Sequence, residues 1–424
     1  MRGIEALALA LRRSADCWYA VPGYPVSELA AATGALLTTN EKVALEYALG
    51  DSLAGRRAAV IVKHVGLNAC ADPLVHATAQ GLRAGVVVVV GDDLRPVGSD
   101  VTGDSRYYGE VAQVPVLEPY GEVIAPAIEA AFEASETFSR VAIIRVTPDL
   151  LDADVPEIHA PRSDRRGSLM DPGLTMAGRA QVSDQGTRAM FAWSRSSPLN
   201  RISGGTVGAG PVKGVSSRAV TVYPPPASPD LLADTREIGR PFLAEHRYIT
   251  PPEVAGEPER FSSRGYSRTF CRDCPFHPAF AILLDGGMRA VCDAGCAILA
   301  MNPPYSLGIA SYGLGSSVAV AATGTGVALT GDYALIHSGL NALIDVYTRR
   351  LPLLCIVLAN NRMGMTGGHP VPDILRYITW ADPIVCAAGD ETALRRALVT
   401  PTEPCTVVIE GTCPEGAYHE TLEY

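Results

Sequence analysis

The chain has 424 residues, too long for one ordinary domain, and at roughly 100–200 residues per domain it predicts two or three. Apolar residues make up 47% and charged residues 19%, so large cores can form and global disorder is excluded. The net charge of −10, from 35 Lys and Arg against 45 Asp and Glu, argues against a dedicated nucleic-acid-binding protein.

The sequence carries no visible secretory signal or membrane span. Its start, MRGIEALALALRRSADC, includes an apolar helical stretch, but this contains Glu5 and runs into Arg12 and Arg13 without a cleavage-like site. The longest uncharged apolar run, 313–330, is interrupted by glycines and falls short of the roughly 20 residues of a span. We therefore expect a cytoplasmic protein, whose ten cysteines would be buried thiols or metal ligands rather than disulfides.

Residues 1–150 alternate continuous apolar runs with helical patterns. The predicted strands and helices are, in chain order, a strand at 17–21, a helix at 41–53, a strand at 58–62, a helix at 71–83, and strands at 86–90 and 141–146. Alternation of helices with fully apolar strands predicts an α/β domain with a parallel sheet covered by helices on both faces.

Residues 151–265 have a different character. Charged, Ser, Gly and Pro residues are scattered with little periodicity, and proline pairs or triplets at 224–226 and 251–252 break any regular element. This composition predicts a long linker between domains, and a small irregular domain is the alternative. No motif in this region indicates a chemical role.

Residues 266–424 return to an α/β pattern and predict a second domain with a parallel sheet. The predicted elements are a strand at 288–291, a glycine-rich turn entering a helix at 313–322, a strand at 327–329, a helix at 337–348, and strands at 353–358 and 406–409.

Two polar turns follow predicted strands of this second domain. Gly331-Asp332-Tyr333 comes after one strand, and Asn360-Asn361 comes after the next. Ligands of open parallel sheets bind at the carboxyl ends of the strands, where an Asp and an Asn can offer oxygen atoms to one Mg²⁺ that bridges to phosphate. The alternative is a pair of unrelated turns, since Gly-Asp and Asn-Asn are common in turns.

These turns resemble the thiamine-diphosphate signature of the transketolase and pyruvate decarboxylase superfamily. Residues 331–341 (GDYALIHSGLN) and 359–370 (ANNRMGMTGGHP) narrow the resemblance to the large subunit of indolepyruvate ferredoxin oxidoreductases. Residues 40–49 (NEKVALEYAL), 63–68 (KHVGLN) and 104–118 (DSRYYGEVAQVPVLE) resemble the same subunit. The resemblance covers about 1–150 and 266–424 and leaves the middle uncovered, and Tyr333 departs from the small residue usual in the family.

The resemblance implies which residues bind the cofactor. Asp332, Asn361 and the backbone carbonyl of Met363 would hold Mg²⁺ on the diphosphate, with Gly331 and Gly66 beside the cofactor. Glu41 would hydrogen-bond the aminopyrimidine ring of thiamine diphosphate. From the residues alone, the favoured interpretation of Glu41 is an ordinary first-turn glutamate stabilised by the helix dipole.

Two histidines are further candidates. His64 follows an apolar strand, and we expect it near the thiazolium ring, where it would bind or protonate the substrate adduct. His337 lies six residues past Gly331 and is a second pocket candidate. For each, the alternative is a histidine with only a structural role.

The cysteines form a second pattern. Cys271 and Cys274 have a CxxC spacing, which fits a zinc half-site, a redox pair or two core thiols. The resemblance implies that these two, with Cys296 and Cys413, hold a [4Fe–4S] cluster. Cys292 is a rival for the third cluster ligand, and Cys405 is a rival for the fourth. The remaining cysteines are expected in the core: Cys17, Cys70, Cys355 and Cys386.

The resemblance implies oxidative decarboxylation of a 2-oxo acid, an aryl pyruvate such as indolepyruvate, with the acyl group passed to coenzyme A. Electrons would leave through the cluster to a ferredoxin-like or β-subunit partner, and the chain would work as a homodimer or heteromer. The family usually continues into a ferredoxin-like domain that this chain, ending at Tyr424, does not match. The alternatives are thus a non-oxidative 2-oxoacid decarboxylase and a non-catalytic paralogue that serves as a subunit of a larger complex.

Overall fold

The structure, a computed structural model, contains two units, one formed by residues 1–169 and 179–258 and the other by 170–178 and 259–424. The residues that it describes are 1–93, 98, 99, 101, 103–197, 199, 206, 207, 210, 211, 220–222, 256–264, 266–414 and 421–423. Within these ranges no helix is both long and apolar enough to cross a membrane.

The first unit is built on one sheet with the strand order β2-β1-β3-β4-β6-β5-β9. The strands of this unit are β1 (Cys17–Ala20), β2 (Leu36–Leu37), β3 (Ala58–Lys63), β4 (Val86–Gly91), β5 (Pro115–Leu117), β6 (Ala142–Val146), the separate pair β7 (Thr206–Val207) and β8 (Gly210–Pro211), and β9 (Val220–Val222). Neighbours in the sheet are parallel, except that β9 pairs antiparallel with β5.

Helices surround this sheet. They are Gly3–Ser14, Ser27–Thr33, Glu41–Leu53, His64–Gln80, Tyr108–Ala112, Ile124–Phe138 and Pro148–Asp152, with 3₁₀ turns at Ser105–Tyr107 and Gly121–Val123. The central strands β3 and β4 are buried along almost their whole length, which explains their continuous apolar sequence. The predicted strands and the helix at 41–53 are confirmed, whereas the helix predicted at 71–83 begins earlier, at His64, directly after β3.

The second unit holds a parallel sheet with the order β12-β11-β13-β14-β16-β15 and an antiparallel pair, β10-β17. Its strands are β10 (Tyr266–Arg268), β11 (Ala290–Cys292), β12 (Gly308–Ala310), β13 (Val327–Gly331), β14 (Leu353–Ala359), β15 (Ile384–Ala387), β16 (Pro404–Glu410) and β17 (Thr421–Glu423). Its helices are Phe261–Arg264, His277–Asp285, Ser317–Thr323, Asp332–Ala334, Leu340–Arg349, Leu375–Ile378 and Glu391–Ala397, with a π-helical turn at Leu335–Gly339 and 3₁₀ turns at Cys296–Met301 and Thr379–Ala381. Both sheets therefore have the predicted α/β class.

A helix that the sequence did not predict, Met176–Ser196, lies within the stretch interpreted as a linker. Arg140, only 2% exposed, fixes its middle turns: Nη1 donates to Thr187 Oγ1 at 3.0 Å and Nη2 to the Ser183 carbonyl at 3.2 Å. The apolar periodicity that would reveal a helix is weak here because Gly, Ser and charged residues are mixed along it. Most of the remaining predicted linker lies outside the described residues.

Candidate functional site

Glu41 is the first residue of its helix, as predicted. Asn40 caps this helix, because its side-chain oxygen accepts a hydrogen bond from the Val43 amide at 2.9 Å. The Glu41 carbonyl oxygen lies 3.3 Å from the Cys70 thiol, which donates to it from the helix His64–Gln80. The start of one helix is thus attached to the first turns of the other.

The carboxylate of Glu41 packs against Gly66. A Cβ atom placed on Gly66 would stand 2.5 Å from Glu41 Oε1 and 2.6 Å from its Cγ, much closer than real Cβ contacts. Gly66 is the third residue of its helix and leaves the room that the carboxylate occupies. The structure therefore brings together two residues that the sequence analysis singled out separately.

Changing Gly66→Ala should displace the Glu41 carboxylate without unfolding the protein. The alanine Cβ competes with a movable side chain, and alanine inside a helix is favoured over glycine by about 0.5–1 kcal/mol. A displacement of about 1 Å at a catalytic group can cost about 100-fold in rate. The activity on a 2-oxo acid that is expected from the sequence and thermal unfolding would be measured together, with Gly389→Ala, an open position with no atom within 4 Å, as the control.

A loss of activity in Gly66→Ala with an unchanged melting temperature would support the contact. A variant with the wild-type rate would show that the carboxylate does not need its present place.

Lys42 strengthens the same junction between the two helices. Its Nζ lies 2.9 Å from Glu46 Oε1 and 2.7 Å from Asp72 Oδ2, and the Glu46 side chain is fully buried. Breaking a buried pair by removing one partner is strongly destabilising, because the other charge is left without compensation. The pair with Asp72 therefore holds the first turn of the Glu41 helix to the helix that carries Gly66, whereas the pair with Glu46 lies within the Glu41 helix.

His64, the first residue of its helix, is only 5% exposed. Its Nε2 lies 2.8 Å from the Val101 carbonyl oxygen and its Nδ1 lies 3.4 Å from the Gly91 carbonyl oxygen. Gly103 packs on the ring as well, since a Cβ there would stand 2.8 Å from Cδ2. Backbone groups thus contact both ring nitrogens, and a catalytic role for His64 stays a prediction.

In the second unit, Asp332 and Asn361 come together as the strand pattern predicted. Gly331 pairs with Leu358 in the parallel ladder of β13 and β14, so both strands end at the same edge of the sheet. Asp332 is 2% exposed, and its two oxygens accept from the Tyr333 and Asn361 amides, each at 2.7 Å. Burial raises the pKa of Asp332, and these N–H groups oppose the shift.

The contact to Asn361 is made through its backbone. Asn361 has a φ of 55°, a left-handed conformation that Asn tolerates, and its side chain is exposed. The Met363 carbonyl oxygen, predicted to bind the metal, accepts hydrogen bonds from the Thr366 amide at 3.2 Å and the Gly368 amide at 3.0 Å. Metal binding by this carbonyl would require at least one of these turn hydrogen bonds to be given up.

A carboxylate that the sequence analysis overlooked supports this edge of the sheet. Asp293, fully buried after β11, accepts from the Ser317 amide at 2.8 Å and from the Thr330 hydroxyl. It thereby ties the glycine-rich turn before the helix Ser317–Thr323 to the end of β13. Gly315 in this turn has a φ of 77° and packs against the amide of Gly339, so a side chain would clash there.

His337 lies in the π-helical turn Leu335–Gly339, a feature found often at functional sites. Its side chain is exposed, and its Nδ1 lies 3.2 Å from Ser338 Oγ. His337 does not line the cavity at Asp332, and its role stays a prediction.

A cavity of about 260 Å³ opens beside Asp332 and Gly331, and four thiols line it. These are the four cysteines that the resemblance nominated, Cys271, Cys274, Cys296 and Cys413. Asn360 Nδ2 donates to Cys413 Sγ at 3.1 Å, and the Cys274 amide donates to the Cys271 carbonyl at 3.0 Å. The four cysteines and Asp332, at the carboxyl end of β13, therefore line the same cavity.

Burial raises the pKa of Cys274 to about 12 and that of Cys296 to about 11, and the neighbouring thiols shift both in the same direction. The rival Cys292 is fully buried in the core on β11, and Cys405 lies on β16; neither lines the cavity. Of the expected core cysteines, Cys70, Cys355 and Cys386 are buried and Cys17 is half-buried. Among the described side chains, no three or more His, Cys, Asp or Glu converge closely enough to hold a single metal ion.

Comparison with known proteins identifies the relatives of this chain. Residues 288–386 match the C-terminal TPP binding domain of thiamine pyrophosphate enzymes. The indolepyruvate oxidoreductase subunit IorA of Archaeoglobus fulgidus is 26% identical over 473 residues, which cover 87% of this chain and 76% of that protein. The predicted resemblance to indolepyruvate oxidoreductase large subunits is confirmed. IorA of Thermococcus kodakarensis is 38% identical over 148 residues, 32% of this chain and 23% of that protein.

Solved structures support the fold. A thiamine diphosphate-dependent 4-hydroxybenzoylformate decarboxylase of Rhodococcus jostii RHA1 aligns with a TM-score of 0.58 and 15% identity, over 98% of this chain and all of that one. At this identity the likeness establishes the fold alone. The chain thus has the fold of thiamine diphosphate enzymes, with Asp332 in the matched domain.

Proposed function

We propose that the chain is the thiamine-diphosphate-binding subunit of an oxidoreductase that decarboxylates an aryl pyruvate such as indolepyruvate. The released electrons would pass through a [4Fe–4S] cluster to a ferredoxin-like or β-subunit partner, and the acyl group would pass to coenzyme A. The observation that carries the proposal is the cavity that Asp332 shares with four cysteines. A decarboxylase without electron transfer needs the carboxylate but has no use for four thiols around one space.

The residues present fit Mg²⁺ and a diphosphate. Asp332 and Asn361 are hard oxygen donors at the carboxyl ends of neighbouring parallel strands, which is the ligand type that Mg²⁺ prefers. No atom lies within 4 Å of the point where a Cβ on Gly331 would stand, so the space beside Asp332 is open. Thiamine diphosphate, when bound, supplies the carbanion that adds to the carbonyl carbon of the 2-oxo acid.

In this proposal Glu41 hydrogen-bonds the aminopyrimidine ring, and Asn40, Gly66 and Lys42 keep its carboxylate in place. His64 exchanges a proton with the substrate, for which its ring must release the Val101 carbonyl. His337 is a second candidate for contact with the substrate. The chain acts as a homodimer or together with other subunits.

The cysteines fit a cluster better than a single ion. In a [4Fe–4S] cluster each of four thiolates binds a different iron, so the ligands surround the group instead of meeting at one point. Four thiols around a cavity match that requirement.

Product analysis under anaerobic conditions tests the function. The protein would be incubated with indolepyruvate, thiamine diphosphate, Mg²⁺, coenzyme A and oxidised methyl viologen. The proposal expects CO₂, an acyl-coenzyme A and reduced viologen, formed in step. Release of aldehyde without reduction of the dye would identify a non-oxidative decarboxylase and overturn the proposal, and so would the absence of any turnover.

A further inference from the structure

Arg362 is a cation that lines the cavity of the four cysteines. It directly follows Asn361, and its own amide donates to Asn360 Oδ1 at 3.4 Å. The guanidinium lies on Gly368, since a Cβ there would stand 2.5 Å from Arg362 Nη2. Gly368 has a φ of 69°, a left-handed conformation that favours glycine. The absence of a side chain at Gly368 also leaves room for the Arg362 guanidinium.

The charge of Arg362 is not compensated by the protein that the structure describes. None of the ion pairs among the described residues includes it, and its Nε is buried there without a hydrogen-bond partner. A buried donor left unsatisfied costs about 1–3 kcal/mol, and arginine stays protonated in proteins. A guanidinium whose charge is uncompensated at a cavity wall indicates that the cavity binds an anion.

The loop of Arg362 also approaches the thiols directly. A Cβ on Gly364 would stand 3.3 Å from Cys296 Sγ, so this loop packs on one of the four cysteines. Asp332, the carboxylate on the cavity wall, accepts from the backbone amides of Tyr333 and Asn361 at the same edge of the sheet. Because this loop packs on Cys296, we take the thiolates of a bound cluster, rather than a diphosphate beside Asp332, as the anion that Arg362 faces.

We propose that Arg362 pairs electrostatically with the [4Fe–4S] cluster and raises its reduction potential. This inference rests on the proposed function. A cluster held by four thiolates is an anion, and reduction adds one further negative charge, so a neighbouring cation stabilises the reduced form more than the oxidised form. Net charge and hydrogen bonds to the sulfurs are known determinants of cluster potential, and the effect of a charge is larger in a site shielded from water. Arg362 would thus make the cluster a better acceptor for electrons released by decarboxylation.

The test is a redox titration of the anaerobically purified full chain, monitored by electron paramagnetic resonance, with iron content measured in parallel. Arg362→Gln should lower the midpoint potential, and Arg362→Lys should remain near the wild-type value. Arg376→Gln is the matched control, because it removes the same charge from a side chain that is 80% exposed and outside the cavity. It should leave the potential unchanged.

The outcomes separate this inference from the function on which it rests. Wild-type protein without iron would defeat both. A cluster present at full occupancy in Arg362→Gln with the wild-type potential would overturn the inference alone. Should Arg362→Gln lose its iron, Arg362→Lys decides: an unchanged potential supports the charge pairing, and a lowered potential rejects it.

Discussion

Asp332→Asn should abolish Mg²⁺-dependent binding of thiamine diphosphate. The substitution removes the negative charge and turns an acceptor into an NH₂ group beside amides that now donate to both carboxylate oxygens. Loss of a residue that merely orients metal ligands typically costs about 10–100-fold in affinity, so loss of a ligand should cost about 100-fold or more. Calorimetric titration of the full chain with thiamine diphosphate, with and without Mg²⁺, measures the effect.

Asp373→Asn is the control for this experiment, because Asp373 is a half-exposed carboxylate of the same unit that does not line the cavity with Asp332. It should bind like the wild type. Equal affinity of Asp332→Asn and wild type, with both proteins folded, would mean that Asp332 holds no metal on the diphosphate.

Cys413→Ser should remove the iron from anaerobically purified protein. A serine hydroxyl is a poor substitute for a thiolate in a cluster bound by four cysteines, and Cys413 lies on the cavity wall where Asn360 contacts its sulfur. Iron analysis and the visible absorption of the cluster would both fall to near zero. Electron transfer to viologen would be lost with them.

Cys405→Ser provides a close comparison, since Cys405 was the rival fourth ligand and lies on β16 away from the cavity. It should keep wild-type iron content. Iron lost from Cys405→Ser and retained by Cys413→Ser would reverse the ligand assignment.

The fold was predictable wherever one short-range signal dominated. The apolar runs of β3, β4 and β14 reflect burial on both faces, and these strands were predicted from those runs. The helix Met176–Ser196 was missed because its stability comes from long-range contacts, such as those of the buried Arg140, which no local pattern reveals.

The candidate site, too, was predictable only in part. Neighbouring parallel strands dictate that Asp332 and Asn361 meet, but the left-handed backbone of Asn361 and the turn hydrogen bonds of the Met363 carbonyl depend on loop geometry. The place of Cys413 depends on packing between segments distant in sequence. A Cβ on Gly411 would stand 2.9 Å from the Pro275 ring, so the end of β16 lies against the CxxC turn.

Release of CO₂ from indolepyruvate, compared between wild type and Glu41→Gln with thiamine diphosphate and Mg²⁺ supplied, tests whether Glu41 acts on bound thiamine diphosphate. Acid–base catalysis by a positioned side chain typically contributes 10²–10⁴-fold, so Glu41→Gln should be about 100-fold slower or worse. Glu5→Gln, at an exposed carboxylate of the first helix, should match the wild type. Equal rates of CO₂ release by wild type and Glu41→Gln would contradict the assignment of this chain as a thiamine diphosphate enzyme that uses Glu41.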